Sequence, residues 1–216
     1  MEEWTSGVLA DFSSLRSYIN QCRGSGLGGK DGKRAPVPAS KDRVGWHTFC
    51  LGRDEASGNV GGYFQDDDYE DDDTEDDDMS TAPKPLPPPN DDEWDASTVP
   101  PDGHPPSTTL LCRFDQIIIR RVLSHHAHYL AEGWDFTSKR GRWAYALLAR
   151  LEKPLHADEA GVLRGLLRSL CRWRAGRSVP DGGEGGRVLA TANVLIVVIG
   201  VYFEQGGGAD RLMAAT

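Results

Sequence analysis

The sequence predicts an all-α protein made of an N-terminal amphipathic helix, a disordered acidic linker and a C-terminal helical-bundle domain. Apolar residues recur every three or four positions in residues 1–23 and again in 107–216, which is the period of an amphipathic helix. Residues 53–106 hold 18 Asp and Glu against 2 Lys and Arg and are rich in proline, and such a composition buries too little apolar surface to fold. Residues 24–52 join the first helix to this linker.

The first segment, "EWTSGVLADFSSLRSYINQCR", predicts one long helix. Glu2 and Glu3 stand at its positive end and Arg23 at its negative end, in agreement with the helix dipole. Its apolar stripe consists of Trp4, Val8, Phe12, Leu15 and Ile19. A helix of this length is marginal in water by itself. The stripe therefore either folds back onto the C-terminal domain or docks on another protein.

A short apolar segment, "VGWHTFCLG" at residues 44–52, interrupts the polar chain that follows. Its large apolar side chains are Trp46, Phe49 and Leu51, and proteins seldom leave such side chains in water. We therefore interpret the segment as a docking segment. His47 is expected to be solvated.

The overall charge of −9 belongs to the linker, since residues 1–51 carry +2, residues 53–106 carry −16 and residues 107–216 carry +5. Its run "DDDYEDDDTEDDD" begins at Asp66 and ends at Asp78. We interpret the run as an extended, solvated tether. The alternative is a mimic of nucleic acid that occupies basic surfaces of a partner.

Four further helices are predicted from cap residues and proline or glycine stops. Asp115, Thr137 and Asp158 are the predicted N-caps, and Gly133, Pro154 and Gly176 the predicted stops. The last helix contains "VLATANVLIVVIGVYF", which is too short and too polar for a membrane span and is interpreted as buried. Because it is apolar on all sides, it is either the central helix of the bundle or is covered by a helix of another protein.

The segment "GRWAYALLARLEKPL" predicts a helix with two different sides. Its core stripe is Ala144, Leu147, Leu148 and Leu151, and its basic side is Lys139, Arg142, Ala146, Arg150 and Lys153. The basic side is either simply solvated, with Trp143 packed inward, or forms a groove. In the second interpretation, small Ala146 admits a partner helix and Arg142 binds an acidic side chain on it.

Enzymatic chemistry is not indicated. The four cysteines lack zinc or disulfide spacing, and the histidines at 125, 126 and 128 are expected on a soluble face rather than at a metal. The glycine runs lack the lysine and hydroxyl residues of a phosphate loop. No cofactor is expected. RNA binding through Arg172, Trp173, Arg174 and Arg177 ranks third, because an excess of five positive charges is modest.

Three quoted segments together resemble the gemin-two family, the partner of the survival motor neuron (SMN) protein. They are "EWTSGVLADFSSLRSYINQCR", "GWHTFCLG", and "GRWAYALLARLEKPL" followed by "NVLIVVIGVYFEQ". The resemblance covers roughly 140 residues in the family's order and leaves out the acidic linker. It implies a non-enzymatic assembly factor for spliceosomal small nuclear ribonucleoproteins (snRNPs), active in the cytoplasm and nucleus, that holds five Sm proteins. Neither a membrane nor stable direct RNA binding is expected. The rivals are a regulatory RNA-binding protein and a generic helical adaptor.

The resemblance also implies binding residues. The N-terminal stripe would face Sm F and E, with Trp46, Phe49 and Leu51 as a second Sm contact, and the C-terminal domain would hold the Sm D pair. The predicted SMN-helix groove comprises Arg142, Trp143, Tyr145, Ala146, Tyr202 and Phe203. Animal members carry an arm before the first helix that enters the RNA channel; here Met1 stands beside the predicted helix, so the arm's role is not expected. Our hypothesis is that the acid run partly replaces it.

Overall fold

The computed structural model describes residues 2–26, 36–53, 94–177 and 183–207. All regular structure in these residues is helical, as predicted. The helices are α1 (Glu2–Gly24), α2 (Arg43–Leu51), α3 (Thr108–Arg113), α4 (Gln116–Ala131), α5 (Ser138–Arg150), α6 (Ala157–Ala175) and α7 (Gly183–Val197), with a 3-10 turn at Ala96–Thr98. The acid run and most of the predicted linker lie outside the described residues.

The cap residues place most helix ends where the sequence predicts them. The side chain of Asp115 accepts from the N–H of Ile118 at 2.8 Å, and that of Thr137 accepts from the N–H of Arg140 at 3.2 Å. Gly133 follows α4 with a φ of 91°. One start differs from the prediction: α6 begins at Ala157, before Asp158. There the carboxylate of Glu159 accepts from the backbone N–H of His156 at 3.0 Å, which satisfies an N–H that has no partner within the helix.

Helix α1 folds back onto the bundle, which decides between the two alternatives left open by its sequence. It packs against α3, α5 and α7, with Phe12 and Ile19 completely buried. At these two positions, the prediction that the stripe docks on another protein is therefore wrong for this fold. The reason is that α5 and the end of α7 supply the apolar seat that the local sequence lacks.

Helix α2 is also part of the core rather than a separate docking segment. Trp46, Phe49 and Leu51 are buried, and the indole N–H of Trp46 donates to the carbonyl of Ala39 at 2.9 Å. The predicted docking segment thus docks on its own chain. His47, expected to be solvated, is 97% buried as well, at 3% exposure.

Residues 94–106 are ordered against α2, so the predicted linker is shorter than expected at its C-terminal end. Val99 is buried, and the N–H of His104 donates to the carbonyl of Phe49 at 2.8 Å. The φ values of Gly52 and Gly103 are 95° and 73°. Their backbones are in direct contact, and neither position has room for a Cβ. Only glycine allows both the conformation and the approach.

Helix α7 lies between α5, α6 and α1, as predicted for a central helix. Leu195, Ile196, Val198 and Ile199 are buried, and the helix continues as a π-helical turn at Val198–Tyr202. Residues Gly183–Tyr202 meet the length and composition criteria for a membrane span, with a mean hydropathy of 1.7. Of the apolar window, 39% is buried inside the bundle, and Val201 is 52% exposed.

Candidate protein-binding groove

An open groove of about 850 Å³ lies beside α5, between the start of that helix, the end of α6 and the start of α7. We call it the Arg142 groove. Its floor is apolar: Phe136 is buried, and its ring lies 5.2 Å from that of Trp173 in an edge contact. Val188 and Leu189 complete the floor. Among the described residues, the accessible part of this floor is therefore the half-buried pair Trp173 and Val188.

The rim of the Arg142 groove is more basic than acidic. Lys139, Arg142, Arg177 and Arg187 line it, against Asp135 and Glu184. Asp135 is already engaged, because its Oδ1 accepts from the guanidinium of Arg177 at 2.5 Å and from the indole N–H of Trp173 at 2.7 Å. Two cations therefore remain for a partner.

Arg142 and Arg187 are these two cations. Both side chains are exposed, and within the described ranges neither has a carboxylate in ion-pair distance. Lys139 differs, since its ammonium donates to the carbonyl of Leu51 at 3.1 Å and pairs with Asp102 at 3.0 Å. A planar guanidinium held over an apolar floor fits an acidic side chain on an amphipathic helix.

The structure divides the residues predicted to form one SMN-helix groove. Arg142 lines the groove just described. Tyr145, Tyr202 and Phe203 lie elsewhere, around Phe12 of α1, with ring centroids 5.4, 4.9 and 6.2 Å from it. We call this aromatic cage the α1 seat. Its residues are covered by the chain's own N-terminal helix and are not open to a partner helix in this fold.

Trp143 and Ala146 are internal. Trp143 is 1% exposed, and its indole N–H donates to the carbonyls of Cys50 and His104, each at 2.9 Å. It thereby ties α5 to α2 and to the ordered end of the linker. Ala146 is buried and forms no opening for a partner. Of the two interpretations of this side of α5, the one with Trp143 packed inward agrees with the fold, and both predicted groove residues, Trp143 and Ala146, are buried.

The predicted basic side of α5 is likewise divided. Arg150 is 1% exposed, with its guanidinium donating to the carbonyls of Leu111 and Phe114 at 3.2 and 3.1 Å. It joins α5 to α3 rather than facing solvent, because two backbone carbonyls there need donors. The predicted core stripe of α5 is confirmed, since Ala144, Leu147, Leu148 and Leu151 are all buried.

Arg16 of α1 fixes the α1 seat. Its guanidinium donates to three carbonyls at the end of α5, those of Leu148, Ala149 and Leu151, at 2.9, 3.2 and 2.7 Å. The last carbonyls of a helix have no partner within the helix. The side chain also lies 5.3 Å from the ring centroid of Tyr202. Sequence reasoning missed Arg16, although an arginine bordering an apolar stripe is the available signal.

A buried polar cluster lies between α2, α4 and α5. The guanidinium of Arg140, 2% exposed, contacts Nε2 of His47 at 3.1 Å and lies 5.5 Å from the ring centroid of Tyr129. Burial and the charge of Arg140 lower the pKa of His47 to about 3, and burial raises the pKa of Tyr129 to about 12. His47 therefore accepts from Arg140 as a neutral ring.

Of the three histidines predicted on a soluble face, His128 is 40% exposed and pairs with Glu132, but the other two are not on such a face. His125 and His126 are buried, and burial lowers the pKa of each. The apolar side of α4 turns them inward because they share its face with Val122 and Tyr129. Among the described residues, no group of three His, Cys, Asp or Glu side chains is placed to hold a metal ion.

The chain is similar to known proteins along nearly its whole length. Residues 1–206 match the family described as Survival motor neuron (SMN) interacting protein 1 (SIP1). Gem-associated protein 2 of Mus musculus is 28% identical over 97% of this chain, and that of Xenopus laevis is 28% identical over 96%. Gem-associated protein 2 of Dictyostelium discoideum is 32% identical over 51% of this chain.

The chain spans 66% of the mouse protein, 68% of the Xenopus protein and 32% of the Dictyostelium protein. A chain in the solved structure titled "The 8S snRNP Assembly Intermediate" has the same fold, with a TM-score of 0.60 and 16% identity, over 97% of this chain and 74% of that one. Together with the order of the helices and the three segments quoted from the sequence, the family match over residues 1–206 leads to one conclusion: this chain belongs to the survival motor neuron interacting protein 1 family.

Proposed function

We propose that the chain is a non-enzymatic assembly factor for spliceosomal snRNPs that holds Sm proteins and binds SMN. Three findings support the proposal: the family match, the Gem-associated protein 2 relatives and the fold shared with a chain of an snRNP assembly intermediate. The cytoplasm and nucleus are the proposed places of action. The observation that carries the proposed SMN site is the Arg142 groove.

The Arg142 groove is the proposed site for an acidic amphipathic helix of SMN. The half-buried side chains of Trp173 and Val188 on its floor would contact the apolar side of that helix. Arg142 and Arg187 would pair with its acidic side chains, since both guanidiniums are exposed and free of carboxylates among the described residues. An exposed rim charge mainly sets the rate of association and its salt dependence, whereas a desolvated floor supplies affinity.

The proposed Sm contacts on α1 differ from the apolar stripe first predicted. Trp4 and Tyr18 are 48% and 55% exposed, and Val8 and Leu15 are half-buried. These four side chains remain available for Sm F and E while Phe12 and Ile19 hold α1 in place. The contact of the C-terminal domain with the Sm D pair, and of the complex with Sm G, are proposed from the family resemblance. Trp46, Phe49 and Leu51 would support the fold instead of touching Sm proteins.

A peptide spanning the N-terminal helix of SMN tests the groove. Isothermal titration with the Arg142→Glu protein should show at least a tenfold loss of affinity, about 1.4 kcal/mol. Arg121→Glu is the matched control, because Arg121 is an exposed arginine on α4 outside this groove. Unchanged affinity for Arg142→Glu would remove Arg142 from the site.

Co-expression with the Sm proteins tests the assembly role. The chain should elute with Sm subunits in size-exclusion chromatography, with a mass that fits a defined complex. Changing Trp4 and Tyr18 together to Asp should release Sm F and E but leave the chain folded, because both side chains are exposed. A chain that stays monomeric beside soluble Sm subunits would contradict the proposed role.

A further inference from the structure

The outer face of α6 carries a row of arginines that the proposed function does not use. Arg164, Arg168 and Arg172 are all exposed and follow one another at intervals of four residues. Because a helix rises 1.5 Å per residue, their attachment points are about 6 Å apart along one side of the helix. We call this row, with the small residues beside it, the arginine face.

The charges of the arginine face are not neutralised by the chain. Among the residues that the structure describes, Arg168 and Arg172 have no carboxylate in ion-pair distance, and Arg164 donates to the uncharged amide of Gln205 at 3.0 Å. Glu159, near the start of the same helix, pairs with Arg120 at 2.7 Å. Three guanidiniums are therefore available to an anionic ligand.

Two glycines leave room beside these arginines. Gly161 and Gly165 lie on the same side of α6, and a Cβ built at either would meet nothing within 4 Å. Within a helix each glycine costs about 1 kcal/mol relative to alanine, and no packing contact among the described residues requires either one. Their absent side chains let the backbone of a ligand approach the helix closely, between the arginines.

The composition of the face favours a polyanion over an acidic protein helix. The exposed large apolar side chains of the described residues are Trp4, Tyr18, Val44, Ile117 and Val201, so none lies on α6. A docked protein helix needs apolar anchors, whereas a phosphate backbone needs cations alone. Arginine also matches phosphate oxygens with two parallel N–H donors.

We infer that the arginine face of α6 binds the phosphate backbone of single-stranded RNA in a weak contact that is independent of base sequence. Each arginine would donate to one phosphate, and the glycines would admit the sugar-phosphate chain. An overall charge of −9 opposes RNA at long range. The contact therefore acts on RNA that has been brought close, and it adds to the proposed function without depending on it.

The test is fluorescence anisotropy of the full chain with a labelled oligouridylate of about 20 nucleotides. Neutralising three phosphates predicts a slope of about −2 for the logarithm of the binding constant against that of the salt concentration. The variant with Arg164, Arg168 and Arg172 changed to Gln should bind at least tenfold more weakly at about 50 mM salt, with a slope near zero.

Two further variants make the test specific. Changing Arg23, Arg53 and Arg121 to Gln removes the same charge from exposed positions outside both the face and the Arg142 groove and should weaken binding less than about threefold. Changing Gly161 and Gly165 to Leu keeps every charge and favours the helix, yet should weaken binding several-fold by filling the space.

Equal losses in the two arginine variants would overturn the inference, because binding would then follow net charge alone. Absence of binding by the unchanged protein at low salt would overturn it as well. Polyglutamate of similar length is the competitor that represents an acidic protein segment. If it displaced the oligouridylate as effectively as unlabelled oligouridylate does, the face would be assigned to an acidic protein instead.

Discussion

Helix α5 borders two aromatic recesses, and among the described residues only one of them holds an inserted ring. In the α1 seat, Phe12 inserts among Tyr145, Tyr202 and Phe203. In the Arg142 groove, the half-buried ring of Trp173 lies against buried Phe136 and has the guanidinium of Arg177 over it, 4.3 Å from the ring centroid. Both recesses have an arginine at the rim, so neither the rings nor the charge alone distinguishes a core from a binding site.

The α1 seat and the Arg142 groove differ in the hydrogen-bond partners of their arginines. Arg16 reaches three carbonyls at the end of α5, whereas Arg142 stands near the start of that helix, where backbone carbonyls are already bonded within the helix. A guanidinium whose hydrogen bonds are made within the chain holds two helices together. A guanidinium left in solvent is available to an acidic side chain of a partner. The following predictions test this difference.

Phe12→Asp should have the largest effect, since it places a charge in the sealed recess. Truncating a buried phenylalanine costs about 3–5 kcal/mol, and burial of the carboxylate adds to that cost. Urea unfolding should show the loss, and trypsin should cleave after Arg16 much faster once α1 has detached. Ser13→Asp is the control, because Ser13 is exposed on the same helix; equal sensitivity of the two variants would show that α1 is not seated as described.

Arg16→Gln should lower stability by about 2 kcal/mol, because hydrogen bonds from a charged donor to the carbonyls of α5 are lost. The matched control is Arg23→Gln, which removes an exposed pair with Glu152 at 2.7 Å that is worth less than about 1 kcal/mol. Midpoints from urea titrations compare the two. Similar losses would mean that Arg16 contributes only surface charge.

Acidification should lower the free energy of unfolding through the buried polar cluster between α2, α4 and α5, where His47 contacts Arg140. Burial and Arg140 lower the pKa of His47 to about 3 in the fold, against about 6.5 in the unfolded chain. The unfolded chain then binds more protons below pH 6.5, so this stability is present above that pH and is lost as the pH falls toward 3. From His47 alone the loss between pH 7 and pH 5 is about 2 kcal/mol.

Urea titrations at several pH values measure this dependence. His47→Gln keeps an acceptor for Arg140 but cannot titrate, and it should flatten the curve without abolishing it, since burial also lowers the pKa of His125 and His126. A slope identical to that of the unchanged protein would exclude His47 as a source.

Arg142→Gln should have the smallest effect on stability, within about 0.5 kcal/mol, because the side chain is exposed and surface substitutions of this kind are nearly neutral. Thermal unfolding checks it beside the binding experiment on the same residue. A loss as large as that of Arg16→Gln would show that the open groove is part of the core.

The elements themselves were predictable from local patterns. The period of the apolar residues predicted α1 and α4–α7. The side chains that accept from a backbone N–H three positions later predicted the caps Asp115 and Thr137. Cap hydrogen bonds span only three residues, so the signal is complete within the sequence. The start of α6 was missed by two positions, with His156 as the N-cap instead of Asp158, because the carboxylate of Glu159 accepts from the N–H of His156.

The assignment of faces was much less predictable. Phe12 and Tyr202 are 190 positions apart yet meet at 4.9 Å, and no local pattern identifies which of several apolar stripes is completed within the chain. His47 looked solvated because its partner, Arg140, is 93 positions away. Arg142 was identified correctly as exposed, since it lies opposite the core stripe of its own helix.

The backbone contact between Gly52 and Gly103 bears on how the length of the segment between them can change. The chain leaves the described fold at Arg53 and re-enters at Trp94, which packs near Gly45, and Arg53 helps the hydrogen bonds of Ser97 to lower the pKa of Asp95. Exit and return are thus neighbours at one corner. Closing a longer loop costs only about 0.6 kcal/mol for each doubling of its length. A segment of a different length can therefore join Arg53 to Trp94 at a small cost in free energy.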